Sequence, residues 1–151
     1  MSIKIIIKNK KAWHNYEILE RFEAGIVLVG TEVKSLRLGK AKMVDAFCQI
    51  NASNQLELYS LHISPYDYGN RHNHPPERVR RLLMHQQEIQ RLLRKVQEKG
   101  LTIIPTMIYF KKNWIKIEVS LAKGKKLYDK RQVMLERATK REIEQAIKLQ
   151  R

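Results

Sequence analysis

The first half of the chain has a spacing of apolar residues that is typical of β-strands. Residues 16–30 begin with partial alternation and end in a β-branched apolar run between two glycines, which predicts one long strand, bent or bulged at Gly25. Apolar runs at about 43–51 and 55–62 predict two further strands, joined by a polar hairpin connection. Strands in this half are therefore expected to follow one another through short turns.

Two helices are predicted among these strands. Thr31 is a suitable N-cap for a two-turn helix that Gly39 ends. Residues 64–76 are rich in Pro, Gly, Asn and Asp, so no regular structure is expected there. Beyond this loop, apolar residues recur at intervals of three and four, which predicts a helix of about twenty residues that ends at Gly100. The residues that set this period are Val79, Leu82, Leu83, Ile89, Leu92, Leu93 and Val96.

A last pair of strands completes the predicted fold. Residues 101–112 and 113–124 are two β-rich runs joined near Lys112. Pro105 cannot donate to a strand ladder, so its strand is expected to be an edge strand or to carry a bulge there. Because strands meet through short turns, an all-parallel sheet is disfavoured. The predicted fold is mainly β with helices: an OB-like Greek-key barrel with a short helix after the first strand, a longer helix before the last strand pair and a basic C-terminal tail.

Length and charge divide the chain into a barrel domain and a tail. The 151 residues suit one folded domain, predicted at residues 1–122, and carry a formal net charge of +15. Residues 123–151 hold ten Lys or Arg and four Asp or Glu, but no Trp, Phe or Pro. Their apolar stripe is narrow, so this tail is expected to be disordered when free and to become helical on a binding partner.

The sequence favours a cytoplasmic location. Its one cysteine, Cys48, lies in an apolar run and is expected to be a small buried hydrophobe in a reducing compartment. The sequence contains no secretory signal pattern and no apolar stretch of the roughly 18 to 20 residues that a membrane span needs. We therefore expect a soluble cytoplasmic protein with no membrane partner.

Positive charge is interleaved with aromatic residues, which suits structured or single-stranded RNA. Cations neutralise phosphates, and rings stack on exposed bases. The basic clusters lie at residues 8–16, 34–42, 71–81 and 123–131, and all of them except 34–42 contain Trp, Tyr or His. Together they predict a polyanionic partner, although they do not distinguish RNA from DNA.

The five histidines give only incomplete candidates for chemistry. His72 and His74 could coordinate a metal, but no full set of ligands lies near them. His14 with Glu23 or Glu17 could form an acid–base pair for metal-independent RNA cleavage, but the sequence places no further proton carrier. No nucleotide-binding, nucleophile or zinc-protease motif is present. We therefore expect no enzyme activity, no cofactor and no metal.

Two glutamates lie among the cations. Glu32 falls in the first turn of the predicted short helix, where it complements the positive end of the helix dipole. Glu23 precedes the bend predicted at Gly25, and two interpretations stay open for it. It is either a solvent-facing strand residue or a carboxylate that accepts hydrogen bonds from guanine or cytosine amino groups of RNA.

Four strings of the sequence, in order along the chain, resemble the SmpB family, the small proteins that bind transfer-messenger RNA. These strings are NKKAWHNYEI at 9–18, FEAGIVLVGTEVKSLRLGKAK at 22–42, NRHNHPPERVRRLLMH at 70–85 and AKGKKLYDKR at 122–131. The resemblance extends over nearly the whole chain. It implies an OB-like barrel with appended helices and a tail that is unstructured in solution, and it favours RNA over DNA.

The resemblance implies a function in the rescue of stalled ribosomes by trans-translation. The barrel would bind the tRNA-like domain of transfer-messenger RNA and fill the space of the anticodon arm that this RNA lacks. Through the RNA, the protein would work with alanyl-tRNA synthetase and elongation factor Tu, and we expect it to be a monomer. The RNA-facing residues implied by the matching strings are Asn9, Lys10, Lys11, His14, Glu23, Glu32, Lys34, Arg37, Arg78, Arg80, Leu83 and His85, of which Leu83 could equally belong to the core.

The tail strings resemble the part of the family that occupies the decoding centre and the empty messenger channel of the ribosome. A Lys/Arg-rich helix can occupy that phosphate-lined channel only when no messenger competes. Gly124 would provide a hinge, Tyr128 would stack on a decoding nucleotide, and Asp129 would position neighbouring cations or accept a base hydrogen bond. The phosphate contacts would come from Lys125, Lys126, Lys130 and Arg131.

Two other functions stay open from the residues alone. A ribosomal structural protein would also carry a basic tail, threaded into ribosomal RNA. A small ribonuclease would use His14 and Glu23. The resemblance favours an RNA-binding adaptor over both.

Overall fold

Strands dominate the part of the chain that the structure, a computed structural model, describes, namely residues 3–68 and 73–124. The prediction of a mainly β fold with a few helices is confirmed. In chain order the elements are β1 (Ile3–Lys8), α1 (Lys10–Asn15), β2 (Tyr16–Ile26), α2 (Gly30–Arg37), β3 (Ala41–Lys42), β4 (Phe47–Ile50), β5 (Leu56–Tyr59), β6 (His62–Ile63), β7 (Arg80–Leu83), α3 (Gln86–Lys99), β8 (Thr102–Lys111) and β9 (Trp114–Gly124).

Six of the strands close into a ring. Hydrogen bonds join them in the order β2, β9, β8, β4, β5, β7 and back to β2, and every one of these pairings is antiparallel. One edge of β8 pairs with β9, so β4 and β1 share its other edge at different points along the strand. The two short strands β3 and β6 pair with each other in a separate sheet.

The register between β2 and β9 decides which side chains enter the core. Phe22 lies opposite Val119 and Ala24 lies opposite Ile117, and all four side chains are buried. Because successive residues of a strand point to opposite faces, Glu23 lies on the outer face of the ring.

Helix α3 adds to the same core, and a glycine ends it as predicted. Ile89 and Leu92 belong to the buried cluster that contains the inward residues of the ring. Gly100 has a φ of +62°, in the left-handed region that favours glycine after a helix. Gly39 has a φ of +71° two residues after α2, so the predicted end of the short helix is confirmed as well.

The predicted helix of about twenty residues is wrong in its first part. Residues 80–83 form β7, and α3 begins only at Gln86. In β7 the side chains of Arg80 and Leu82 are buried, whereas those of Arg81 and Leu83 are exposed. This period of two was not visible in the sequence, because one inward position holds an arginine and looks polar.

Several other features differ from the sequence-based expectations. The irregularity in β2 lies between Ile18 and Glu20 instead of at Gly25. Val29 precedes α2 as its N-cap, whereas Thr31 lies within the helix.

The bulge expected at Pro105 is confirmed, because the register between β8 and β9 shifts there.

The predicted strands of the first half are also longer than the observed ones. β4 occupies four residues of the predicted 43–51 run, and the 55–62 run contains β5 and the start of β6. β1 and α1 were not among the predicted elements. Both precede the first predicted strand, where lysines interrupt the apolar pattern.

Candidate nucleic-acid interface

Asn9 fixes the start of α1 on β8. Its side-chain oxygen accepts a hydrogen bond from the N–H of Ala12 at 3.2 Å, and its side-chain nitrogen donates to the carbonyl of Pro105 at 2.9 Å. Its backbone N–H donates to the carbonyl of Thr106 at 2.9 Å, at the bulge in β8. Asn9 is 5% exposed, contrary to the prediction that it faces RNA, and its side chain serves to position the helix.

Helix α1 places cations and a large ring at the surface. Lys10, Lys11 and Trp13 are exposed, and His14 is partly buried. The guanidinium carbon of Arg21, on β2, lies 6.0 Å from the centre of a Trp13 ring. Cations beside an exposed aromatic ring can bind phosphates and stacked bases together.

A cleft of about 300 Å³ lies between β1, the start of α1 and β3. Apolar side chains such as Ile7 and Met43 form part of its wall. The charged residues that line it are Lys8, Lys10, Lys11 and Lys42. Positive charge around an apolar wall suits a nucleotide, because the phosphate and the base have different requirements.

Glu23 lies on the outer face of β2 and is held by two donors. The hydroxyl of Tyr109 donates to one carboxylate oxygen at 2.5 Å, and the ammonium of Lys111 lies 3.3 Å from each oxygen. The hydrogen bond from Tyr109 holds the pKa of the Glu23 carboxyl below its usual value, with burial opposing and Lys111 assisting. The side chain is 40% exposed, so a ligand can reach an ionised carboxylate here.

Leu83 and His85 extend the surface from β2 onto β7 and the start of α3. Leu83 lies opposite Gly25 and is 51% exposed, so it is a surface residue and does not belong to the core. A Cβ on Gly25 would lie 3.4 Å from the Cβ of Leu83, at van der Waals contact, so the Leu83 side chain lies directly beside this glycine. His85 is exposed and is the N-cap of α3, without a capping hydrogen bond from its side chain.

Glu32 lies inside the protein with two arginines. Its two oxygens accept hydrogen bonds from Arg78 at 2.5 Å and from Arg80 at 2.6 Å, and the N–H of Val29 donates to it at 2.9 Å. The last of these bonds confirms that Glu32 complements the start of α2. Burial by itself raises the pKa of the Glu32 carboxyl, but the hydrogen bonds outweigh it and hold that pKa below its usual value.

Arg80 is fully buried beside Glu32. It also donates to the carbonyls of Leu61 and Pro76, so its guanidinium connects β7 with α2 and with the chain on either side of the 64–76 loop. Burial lowers the pKa of this guanidinium, and Glu32 opposes the change. Neither Glu32 nor Arg80 reaches the surface, contrary to the prediction that they face RNA. Each of the two charges can stay buried because the other one compensates it.

A second group of cations lies on α2 beside two tyrosine rings. Lys34 and Arg37 are exposed, and the ammonium of Lys34 lies 5.3 Å from the centre of the Tyr66 ring. Tyr66 packs edge to face against Tyr68. The side chain of Asn73 holds this loop through hydrogen bonds of 2.9 and 2.6 Å with the backbone of Tyr66. Arrangements of this kind also suit RNA.

His74 connects the same loop to α2 and β6. Its Nε2 lies 2.9 Å from the carbonyl of Ile63, and because a carbonyl can only accept, Nε2 carries the hydrogen. In the neutral ring Nδ1 then accepts from the hydroxyl of Thr31 at 2.8 Å. His74 therefore has a structural role in this loop.

The described residues contain neither a metal-binding cluster nor a membrane-spanning helix. Within 3–68 and 73–124, no group of three or more His, Cys, Asp or Glu side chains could hold a metal ion. His72, the predicted companion of His74, lies outside the described residues. No helix in that part of the chain is long and apolar enough to cross a membrane.

Only part of the predicted set lies at the surface of the residues that the structure describes. The first surface group, on α1, β2, β7 and the start of α3, consists of Lys10, Lys11, His14, Glu23, Leu83 and His85. The second, on α2 and beside it, consists of Lys34, Arg37 and the partly exposed Arg78. Gly124 is exposed at the end of β9, opposite Tyr16. The remaining predicted ribosome-binding residues lie outside the described residues: Lys125, Lys126, Tyr128, Asp129, Lys130 and Arg131.

The two residues that hold Glu23 were not among the predicted site residues. Tyr109 and Lys111 lie two residues apart on β8, so the alternation of a strand puts them on one face. That local signal was available from the sequence. The contact with Glu23 was not, because Tyr109 is separated from it by 86 residues.

Comparisons with known proteins point to one family. The family model described as SmpB protein matches residues 6–149. The SsrA-binding protein of Carboxydothermus hydrogenoformans is 57% identical over 145 residues, which cover 96% of this chain and 97% of that protein. The SsrA-binding protein of Pelotomaculum thermopropionicum is 54% identical, with coverages of 98% and 96%. A similar fold is found in a chain of the solved structure "tmRNA-SmpB: a journey to the center of the bacterial ribosome". The two chains are 46% identical, the match covers 91% of this chain and 92% of that one, and the TM-score is 0.67.

Proposed function

The chain belongs to the SmpB family, and on that premise we propose that it binds the tRNA-like domain of transfer-messenger RNA and brings this RNA to stalled ribosomes for trans-translation. The protein acts as an adaptor and catalyses no reaction. Its affinity comes from cations on a rigid barrel, and its selectivity comes from a small number of groups that recognise bases.

The observation that carries the proposal is the surface formed by α1 and the outer face of β2. Exposed Lys10 and Lys11 supply attraction to phosphates, and Trp13 with Arg21 supplies a ring beside a cation. Glu23, held on the outer face of β2 by Tyr109 and Lys111, repels phosphate but accepts hydrogen bonds from the amino groups of bases. A surface for unselective polyanion binding would gain nothing from such a carboxylate.

Three of the residues carried over from the family act through position in this proposal. Asn9 holds α1 on the bulge of β8, and Glu32 with Arg80 holds α2 against β7. The cations that they present, on α1 and α2, make the contacts with RNA. His14, Arg78, Leu83 and His85 complete the proposed RNA-facing surface.

We further propose that the six-stranded ring is an OB-like Greek-key barrel. Support comes from its closed antiparallel pairing and from an order around the ring that differs from the order along the chain. The position of α3 before the last strand pair also agrees with the predicted arrangement. In barrels of this class, loops and one face of the sheet commonly bind nucleic acid.

The tail is proposed to act on the ribosome. Residues 123–151 carry a net charge of +6, with cations spaced along a narrow apolar stripe. They become helical in the decoding centre and the empty messenger channel, where Tyr128 stacks and Lys125, Lys126, Lys130 and Arg131 contact phosphates. Strand β9 runs to Gly124, two residues past the predicted end of the barrel domain, so a hinge there would follow directly from the sheet.

The remaining partners act through the RNA in this proposal. Alanyl-tRNA synthetase and elongation factor Tu recognise the acceptor end of the tRNA-like domain while the protein occupies the place of an anticodon arm. The protein works as a monomer in the cytoplasm. No cofactor enters any of these steps.

A truncation tests the division between barrel and tail. The cut is placed after Gly124, because Gly124 and Lys123 pair with β2 and their loss would damage the sheet. The truncated chain should keep most of its affinity for the tRNA-like domain, measured by fluorescence anisotropy, and should fail to support peptide tagging on stalled ribosomes. Collapse of RNA affinity in the truncated chain would refute the division.

A charge-matched pair of variants tests the RNA-binding surface. Lys10→Ala with Lys11→Ala should lower the slope of log affinity against log salt by about 1.4 to 1.8 for the tRNA-like domain. The control, Arg94→Ala with Lys112→Ala, removes two exposed cations from α3 and from the turn between β8 and β9. An equal loss in both variants would mean that RNA binding is a property of overall charge and not of this surface.

A further inference from the structure

Tyr109 makes a hydrogen bond that spans a strand. Its ring lies on β8 and is 5% exposed, while its hydroxyl donates to Glu23 on β2 at 2.5 Å. In the sheet β9 lies between these two strands, and Lys116 of β9 is opposite Tyr109. The bond therefore connects two strands that do not pair with each other along this stretch, above the backbone of the third.

An exposed glutamate on a strand would otherwise be free to change rotamer. On this chain it would also be attracted to any of several nearby cations, of which Lys111 and Lys116 lie on the same part of the sheet. Tyr109 removes this freedom because its own ring is buried and cannot follow the carboxylate. Lys111 has an exposed, flexible side chain at 3.3 Å, so it adds charge without fixing a direction.

We propose that Tyr109 is a positioning residue for RNA recognition: its hydroxyl holds one oxygen of Glu23, so that the carboxylate is presented in a single orientation to the amino group of an unpaired or exposed RNA base. This inference rests on the proposed function and deepens it. A base-recognising carboxylate requires a defined direction, because the amino groups of different bases differ mainly in where they lie. Preorganisation by Tyr109 supplies that direction before RNA arrives.

The protonation of the pair is consistent with this role. Burial, followed by the hydrogen bond to Glu23, raises the pKa of the Tyr109 hydroxyl, while that hydrogen bond lowers the pKa of Glu23. The tyrosine therefore stays a donor and the glutamate stays an acceptor near neutral pH. A charged acceptor with a short O–H donor is among the stronger hydrogen bonds in proteins.

The test uses the full chain and four variants. These are Tyr109→Phe, Glu23→Gln, the double variant Tyr109→Phe with Glu23→Gln, and the control Tyr59→Phe. The control also removes a tyrosine hydroxyl that donates to a glutamate, but on another strand of the sheet. Tyr59 lies on β5, and its hydroxyl donates to Glu57 at 3.5 Å. Each protein is titrated against the tRNA-like domain of transfer-messenger RNA and against a random-sequence RNA duplex of equal length, at the same salt concentration.

Tyr109→Phe keeps the buried ring and should leave the unfolding midpoint close to that of the control. It should weaken binding of the tRNA-like domain about tenfold, leave binding of the duplex unchanged, and leave the salt slope unchanged. The double variant should bind no more weakly than Glu23→Gln alone, because the hydroxyl has no task without the carboxylate. Tyr59→Phe should bind both RNAs as the unchanged chain does.

Three outcomes separate this inference from the proposed function. If Glu23→Gln weakens specific binding and Tyr109→Phe does not, the positioning role is refuted while the proposed function stands. If the losses of the two single variants add in the double variant, Tyr109 acts independently of Glu23 and the inference is likewise refuted. If the unchanged chain binds both RNAs equally, the proposed function fails and the inference fails with it.

Discussion

Two glutamates that lie nine residues apart in the sequence have opposite surroundings. Glu32 has no exposed surface and is bonded to Arg78 and Arg80, whereas Glu23 faces solvent and is bonded to Tyr109 and to Lys111. Both carboxyl groups have a lowered pKa, so both are ionised near neutral pH. The comparison teaches that the few acidic residues of this basic chain have two distinct tasks.

The two carboxylates differ in the interactions that hold them in place. The buried carboxylate has exchanged water for the guanidinium groups, and its removal would leave the buried charge of Arg80 without its counter-charge. The exposed carboxylate keeps access to water, so its net contribution to folding is small. The interior cluster therefore maintains the fold, and the surface cluster is available for binding.

The largest expected effect comes from breaking the interior cluster. Glu32→Gln should destabilise the protein by about 3 to 5 kcal/mol, because the fully buried Arg80 loses its counter-charge. Urea denaturation followed by circular dichroism measures this loss. The comparison variant is Arg91→Ala, which removes the exposed ion pair of 3.0 Å with Glu20 and should cost no more than about 1 kcal/mol. An equal loss of unfolding free energy in the two variants would show that the buried cluster stabilises the protein no more than an exposed ion pair does.

A pH titration of stability sharpens the same comparison. The folded pKa of Glu32 lies below its unfolded value, so its contribution is complete above the unfolded pKa of about 4.3 and is lost as pH falls through the folded pKa. Glu23 has the same sign, but solvent screening makes its contribution smaller. Between pH 5 and 3, Glu32→Gln should therefore flatten the stability profile more than Glu23→Gln does. Identical profiles for the two variants would contradict this order.

A smaller effect is expected from the cap that holds the surface cations. Asn9→Ala should lower the free energy of unfolding by about 1 kcal/mol, because Ala12 and Pro105 lose their side-chain partner. RNA affinity should fall as well, since α1 carries Lys10 and Lys11. The control Asn113→Ala, in the exposed turn between β8 and β9, should stay within about 0.5 kcal/mol of the unchanged chain. An Asn9→Ala variant as stable as the unchanged chain would contradict the role of Asn9 in positioning α1.

The sequence predicted those parts of the fold that depend on local pattern. Alternation located β8 and β9 almost to their ends, and Gly39 and Gly100 marked helix ends correctly. The bulge at Pro105 followed from the missing N–H of proline. Each of these features is decided within a few residues of the chain.

Features decided by distant partners were not predictable in this way. Arg80 can be buried because it is paired with Glu32, which lies 48 residues earlier in the chain. This polar residue at an inward position hid the alternating pattern of β7. The sequence pattern already indicated Glu23 as a candidate, and the resemblance to a family supported it, but its hydroxyl partner on β8 was found only in the structure. Resemblance to a family could also not separate surface residues from internal ones, as Asn9 illustrates.

Equilibrium competition tests most directly the central claim that a held carboxylate makes this basic surface selective. The full chain and its Glu23→Gln variant are titrated with labelled tRNA-like domain in the presence of random-sequence RNA duplex. The variant should lose about tenfold in affinity for the tRNA-like domain, although its net positive charge is higher. Tighter binding of both RNAs by the variant, as counterion release alone would produce, would contradict the claim.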